Sequence, residues 1–410
     1  MIDKAAWSQR WERIALYLTF GSAVAVFFSI AVCHTLLALS VVALLVSGAR
    51  LRFPPVKAPL AIFFALTVVS LLLSTDPAAG RPQIRKFFVF LVLLTVSSAI
   101  VRLSAVRGVV VAWFGAAALS AVWSLVQFAG KVGQARQAGM RFYDYYVSTR
   151  ITGFMSHWMT FSGEMMVALL LLAALLFFSP KARRYWWAWT SCGALIAVAL
   201  VLAFTRSMWI ATAVSILYLT WFWKRWLVLA VPVVLACGLL VSPASVQTRA
   251  LSMLHPNKNI DSNQHRIVCW RTGWEMIKAH PWFGVGPEHV GMELERYLPA
   301  DIHPPLPKGW YGHLHNIYLH YAAERGVPAM LALMWMLGKM LLDFLRRLSK
   351  LPPGASDARF MLHGGVAVIL ATLVSGLFEV NLGDSEYLYL FLASMALVYN
   401  ASEPETTAAQ

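Results

Sequence analysis

Polar and charged residues in this chain fall in short clusters that punctuate long apolar runs. Windows of about 20 apolar residues per span pick out twelve such runs, at 14–32, 34–48, 56–74, 86–101, 108–129, 155–178, 186–204, 207–222, 226–242, 314–345, 360–378 and 386–400. The expected fold is therefore all-α, a polytopic integral membrane protein of about twelve transmembrane helices. Residues 1–242 would hold nine spans joined by short loops, residues 314–400 three more, and residues 401–410 a polar tail. Between them lies the one long polar segment, 243–313, and a loop of that length is usually functional or partly structured.

The periodicity changes inside that loop. From Ser262 to Ala279 it is helical, with Ser262 or Asn263 as the cap and His280-Pro281 as the stop. Ile267, Trp270, Trp274 and Ile277 form one stripe, suited to a helix lying at a lipid interface. A glycine turn follows, Gly284-Val285-Gly286-Pro287, then a second helical stretch from Glu288 to Tyr297 and a proline-rich segment. The loop ends at Gly312-His313-Leu314-His315-Asn316-Ile317-Tyr318-Leu319, where polar groups crowd the head of an apolar run. Ionisable groups at a membrane boundary are costly and mark function.

Composition supports the membrane reading. The chain is 59% hydrophobic and 13% charged, with a mean hydropathy of +0.64, whereas soluble domains carry about 25% charged residues. A soluble fold is excluded. The formal charge of +15 is partly topological, because Lys and Arg gather in cytoplasmic loops. With the N-terminus inside and its first run retained as an uncleaved span, every inner loop carries Lys or Arg. Both termini are then cytoplasmic, and four segments face outward: Thr75 to Arg85, Gly130 to Phe154, the turn at Thr205-Arg206-Ser207, and the long loop. Cys33, Cys192, Cys237 and Cys269 show neither metal nor redox spacing.

The outward face holds arginines that this charge rule does not ask for: Arg81, Arg85, Arg136, Arg141, Arg150, Arg206, Arg266 and Arg271. Most can be lipid anchors. Arg206 sits between two apolar runs with almost no loop to hold it in water, so it must pair, and its fork matches phosphate oxygens. Eight of the 11 histidines, His255, His265, His280, His289, His303, His313, His315 and His320, lie between Leu251 and Tyr321. A zinc site is the obvious alternative, but no His-Glu-x-x-His occurs, and two residues apart on a helix point away from each other. No metal is expected. A neutral imidazole is instead a fit general base. Among the carboxylates of this face, Asp261 included, Glu379 and Asp384 are placed to pair with an active-site arginine.

Together the long outer loop, the Thr205-Arg206-Ser207 turn, the helix from His265-Arg266 to Trp270, the Gly284 to Pro287 turn and His315-Asn316 resemble an O-antigen ligase. More broadly they resemble the superfamily of O-antigen ligases, O-antigen polymerases and bacterial O-oligosaccharyltransferases. The ligase motif is His, then Asn, Ser or Gln, nine residues, Gly, two residues, and Gly, Thr or Tyr. Here His315-Asn316 is followed at that spacing by Gly326, and the last position departs, being Ala329. The glycine region is expected to serve helix packing.

The resemblance implies an inverting, metal-independent glycosyltransferase of the bacterial inner membrane, with its active site facing the periplasm. It would move a glycan from undecaprenyl pyrophosphate to a sugar hydroxyl of lipid A core. No cofactor and no nucleic-acid partner are expected; membrane lipids are. Arg206 and Arg266, helped by Arg81 or Arg85, would hold the diphosphate. His315, or His313 in its place, would take the acceptor proton, with Asn316 and Tyr318 orienting the imidazole or the acceptor. A polymerase or a protein O-oligosaccharyltransferase would share the donor and differ in acceptor. A lipid or polysaccharide transporter would need no base and would place its ionisable residues near the bilayer midplane.

Overall fold

The structure, a computed structural model, describes residues 4–254, 263–352 and 354–402. His255, Asp261, the Ser262 cap and tail residues 403–410 lie outside the described residues. Among those described, every regular element is helical. The first are α1 (Lys4–Ala25), α2 (Ile30–Ser47), α3 (Lys57–Leu73), α4 (Pro77–Arg85), α5 (Leu91–Ala99), α6 (Leu103–Gln137), α7 (Phe142–Ser148) and α8 (Trp158–Phe178). Then come α9 (Trp186–Leu202), α10 (Arg206–Trp223), α11 (Ala230–Leu240), α12 (Ala244–Leu251), α13 (Asn263–Ala279) and α14 (His289–Met292). The last are α15 (Ile317–Arg325), α16 (Val327–Ser349), α17 (Ser356–Ser375) and α18 (Ser385–Ala401).

Six helical segments are long and apolar enough to cross a membrane: α2, Pro77–Ala99, α6, α8, α16 and α17; α3, α9 and Arg225–Leu240 are apolar but shorter. The centre is formed by α8, α17 and α18, which bury nearly all their faces and are packed round by α5, α6, α9, α10 and α16. A helix apolar on every side belongs in such a place. Polar ties pin it: the Ser22 and Tyr389 hydroxyls lie 2.7 Å apart and those of Thr372 and Tyr387 2.8 Å apart. At the periphery α11 is apolar throughout and buries none of its residues, as a face covered by lipid or by another protein would. Of the charges within apolar runs, Lys339 and Asp343 pair at 3.0 Å, while Glu164 is fully buried with neither oxygen hydrogen-bonded.

Several expected boundaries move. Thr75 to Arg85 is not a loop: Asp76 caps α4 by accepting from Ala78 N and Ala79 N, and Pro77 opens it, as helix starts favour. Most of Gly130 to Phe154 is helical too, in the end of α6 and in α7. The stretch from Glu288 to Tyr297 is a single turn of α14 and a 3₁₀ turn rather than one helix. The expected Ile267 to Ile277 stripe is split. Ile267 and Trp274 point outward, Trp270 is half-buried, and Ile277 packs inward with Val268, Cys269 and Met276.

The largest correction concerns 314–345, which is two helices. Gly326 ends α15 at φ 87°, and Val327-Pro328 begins α16. A Cβ at Gly326 would lie 2.1 Å from Trp282 O, and Val327 N donates to Pro281 O at 2.8 Å. The Gly284 turn is moored to the same place, with Val285 N donating to Ala323 O and Gly286 N to Glu324 O, both at 2.9 Å. The glycine of the His-Asn motif therefore serves a chain break and a close backbone approach, not helix-on-helix packing.

Candidate active site

Helix α15 positions the motif, and each residue of Asn316-Ile317-Tyr318 ties it to the end of α17. Asn316 caps the helix, its Oδ1 accepting from Leu319 N at 2.9 Å, while its Nδ2 donates to Leu377 O at 3.1 Å. Ile317 N donates to Gly376 O and Tyr318 OH to Leu373 O, both at 2.8 Å. Neither Asn316 nor Tyr318 lines the site, so they position the helix rather than the imidazole or acceptor directly. His315, just before the cap, is thereby delivered to a cavity of about 630 Å3.

Four arginines line that cavity: Arg150, Arg206, Arg249 and Arg266. Arg206 is the first residue of α10, and its guanidinium donates to Ser252 O at 2.8 Å, Ser252 Oγ at 2.9 Å and Asn263 Oδ1 at 2.7 Å. The pairing demanded by its tight turn is thus made with the long loop. Arg249, on α12, donates through Nε to Phe204 O at 3.0 Å. Arg150 donates to Val147 O at 2.9 Å and lies 5.0 Å over the Trp158 ring. Arg266 pairs with Glu379. Burial, and then the charge of Arg249, push Arg150 down to about 9; Glu379 opposes this, while Arg206 and Arg266 add to it. Arg150 is thus a buried guanidinium crowded by other arginines.

The histidines meet at the same cavity. His265 Nε2 and His315 Nε2 are 2.9 Å apart, and Trp310 O lies 3.1 Å from the latter. On the other side of the ring, His315 Nδ1 faces Glu379 Oε2 at 3.6 Å. Burial pushes the Glu379 carboxyl up, but Arg266 and His315 outweigh it and the net displacement is downward, so Glu379 is a carboxylate. The Glu379 carboxylate faces Nδ1 and the Trp310 carbonyl faces Nε2, so each ring nitrogen has an oxygen before it. Once protonated, the imidazolium finds an oxygen at each end, Glu379 and Trp310 O.

His313, which also lines the cavity, is held differently. Its Nδ1 accepts the backbone N–H of His315 at 3.1 Å, which places the proton of its neutral ring on Nε2. Burial, followed by His315, His320 and Arg266, holds its pKa well below the usual range. It supports His315, whose backbone is strained at φ 50°. Among the described residues only Phe204, Glu288 and His315 are non-glycines at positive φ. His315 and Glu288 line the cavity, and Phe204 offers its carbonyl to Arg249 beside Arg206. Backbone strain gathers where surrounding structure enforces it, commonly at working sites.

Arg81 and Arg85 do not join the cluster. Both are exposed on α4, and Gln83 on the helix's other face and Lys86 just beyond its end line the cavity in their place. Asp76-Pro77 is a helix-start signal in the sequence, and helical spacing from it separates these pairs. Arg249 and Trp310 escaped sequence reasoning; one is a lone arginine in a long loop and the other acts through its carbonyl. Among the described residues no group of three or more His, Cys, Asp or Glu is arranged to hold a metal ion.

No curated protein matches the chain. Residues 191–334, a stretch that contains Arg206, Arg249, His265, Arg266, Glu288 and His315, match the family model described as O-antigen ligase (Wzy_C), and this match supports assignment of the chain to the O-antigen ligase family.

Proposed function

We propose that the protein transfers a glycan from undecaprenyl pyrophosphate to a sugar hydroxyl of lipid A core. The observation that carries this reading is the convergence, in one cavity, of Arg150, Arg206, Arg249 and Arg266 with a histidine backed by a carboxylate. The acceptor hydroxyl comes within hydrogen-bond reach of His315 Nε2. As its oxygen attacks the anomeric carbon with inversion, its proton passes to His315 Nε2 and the bond to the pyrophosphate breaks. Charge growing on the leaving diphosphate is met by the arginines, which are fixed in advance by their carbonyl and side-chain partners. Glu379, facing Nδ1, stabilises the imidazolium.

In this reading the chain crosses the bacterial inner membrane twelve times, with both termini in the cytoplasm and residues 243–313 in the periplasm. The shorter apolar helices and α1, α10 and α18 complete the crossings. The test is a transfer assay with purified protein in detergent, given undecaprenyl-pyrophosphate-linked glycan and lipid A core, glycan or peptide acceptors in parallel. Product on lipid A core supports the ligase; product only on the others transfers the assignment to a polymerase or an oligosaccharyltransferase. No product with any acceptor contradicts glycosyl transfer.

A further inference from the structure

The cavity is not uniformly basic, and a second group of polar residues lines it: Gln83, Lys86, Glu288, His320 and Glu324. From His315 the path to this group is short. The His315 and His313 rings are 4.1 Å apart, those of His313 and His320 6.1 Å. His320 Nε2 lies 3.7 Å from Glu324 Oε1, which accepts Glu288 N at 2.8 Å. Glu324 is occupied by the buried Arg325, at 2.9 Å, and Arg325 also donates to Gln83 Oε1 at 2.8 Å. Lys86 and Arg325 thus offset Glu288 and Glu324, so this part of the cavity is balanced in charge.

Glu288 stands out within the group. Its backbone is at φ 66°, a conformation glycine adopts freely, yet a carboxylate is kept there. Gln83 Nε2 donates to one carboxylate oxygen, and among the described residues no hydrogen bond engages the other. Nearby, His320 is buried with its Nδ1 unpartnered. Free acceptors beside balanced charge suit the hydroxyls of an uncharged sugar ring and repel a phosphate.

The geometry points to Glu288, with Gln83 and His320, as the subsite that binds a hydroxyl-bearing ring of the acceptor and sets acceptor specificity. The inference rests on the transfer reaction proposed above. It assigns the two substrates to two parts of one cavity, with the diphosphate at the arginines, the acceptor sugar at Glu288, and His315 between them.

The test varies donor and acceptor separately in the transfer assay with the full-length enzyme, using undecaprenyl-pyrophosphate-linked glycan and lipid A core. Glu288→Gly keeps the left-handed backbone while removing the carboxylate, so a purely conformational role predicts no loss. The expected result is an acceptor KM raised about tenfold or more, with donor KM and melting temperature unchanged. Glu288→Gln, which retains the side chain's size, should raise acceptor KM by less. Acceptor KM unchanged in both variants, or donor KM raised as much as acceptor KM, overturns the subsite. A wild-type enzyme that makes no product at all would instead bring down the underlying transfer reading.

Discussion

One carboxylate joins the two chemistries of the site: Glu379 Oε2 faces His315 Nδ1 at 3.6 Å, while its other oxygen holds Arg266. Glu379 is buried at 3% exposure, where a bare carboxylate would be costly, and the arginine and imidazole are what keep it ionised. Glu379→Gln is therefore expected to lower kcat by about 100-fold or more, in the range of a lost general-base contribution, with a smaller effect on acceptor KM. Steady-state transfer kinetics measure it. A variant with wild-type kcat would detach Glu379 from catalysis.

His313 and His315 are separable by substitution. An Asn at 313 can accept the His315 N–H through its side-chain oxygen, so His313→Asn should keep most activity. His313→Ala leaves that buried donor unpaired, at a cost of about 1–3 kcal/mol, and should lower both melting temperature and rate. The same ring gives a pH signature. Because burial holds the folded pKa of His313 well below the ordinary histidine value of about 6.5, the folded state binds fewer protons than the unfolded one between those values. Its contribution to stability is complete above pH 6.5 and is lost as pH falls below it. Thermal melting across pH 5 to 8 should show an acid decline that His313→Asn reduces.

Arg206 and Arg150 should fail in different ways. Arg206 has a guanidinium fork spread over Ser252 and Asn263, and Arg206→Lys keeps the charge while losing that geometry. A fall in kcat/KM of about tenfold or more is expected, in keeping with lost charge-assisted bonds, together with lower melting temperature. Arg150 has fewer ties and a charge crowded by its neighbours, so Arg150→Gln should weaken donor binding with little effect on melting. Measured together, donor KM and melting temperature distinguish the two. Equal effects on both quantities in both variants would contradict the assignment.

At Gly326 a Cβ would sit 2.1 Å from Trp282 O with φ at 87°, so Gly326→Ala must distort either α15 or the Gly284 turn. The expected cost is about 2 kcal/mol or more, read as a lower melting temperature and poor yield. Gly338→Ala, with open space around its Cβ, is the neutral control on the next helix. Similar melting of the two variants would show that the break at Gly326 is not fixed by this contact.

Much of this site was legible before the structure because single positions broke a local rule. Arg206 stood in a turn too tight for water, and His315-Asn316 headed an apolar run; both led directly to cavity residues. The apolar runs also located the helices. What could not be read were the relations that exist only in three dimensions. Nothing near Arg249 in the sequence announces Phe204 O as its partner, and Glu379 meets His315 and Arg266 across separations of 64 and 113 residues. Arg81 and Arg85 stand outside the cavity for a different reason, because 75–85 is helical and its faces turn those two outward. The Gly326 break was hidden by the hydrophobicity that runs on through it.

The central claim is that His315 takes the acceptor proton while the arginines hold the diphosphate. Its most direct test is the single-turnover rate of glycan transfer from undecaprenyl-pyrophosphate-linked donor to lipid A core by His315→Ala, beside wild type and His313→Asn. The rate for His315→Ala should fall by about 10²–10⁴-fold with donor binding intact and His313→Asn near wild type. Near-wild-type transfer by His315→Ala, or an equal loss in His313→Asn, would contradict it.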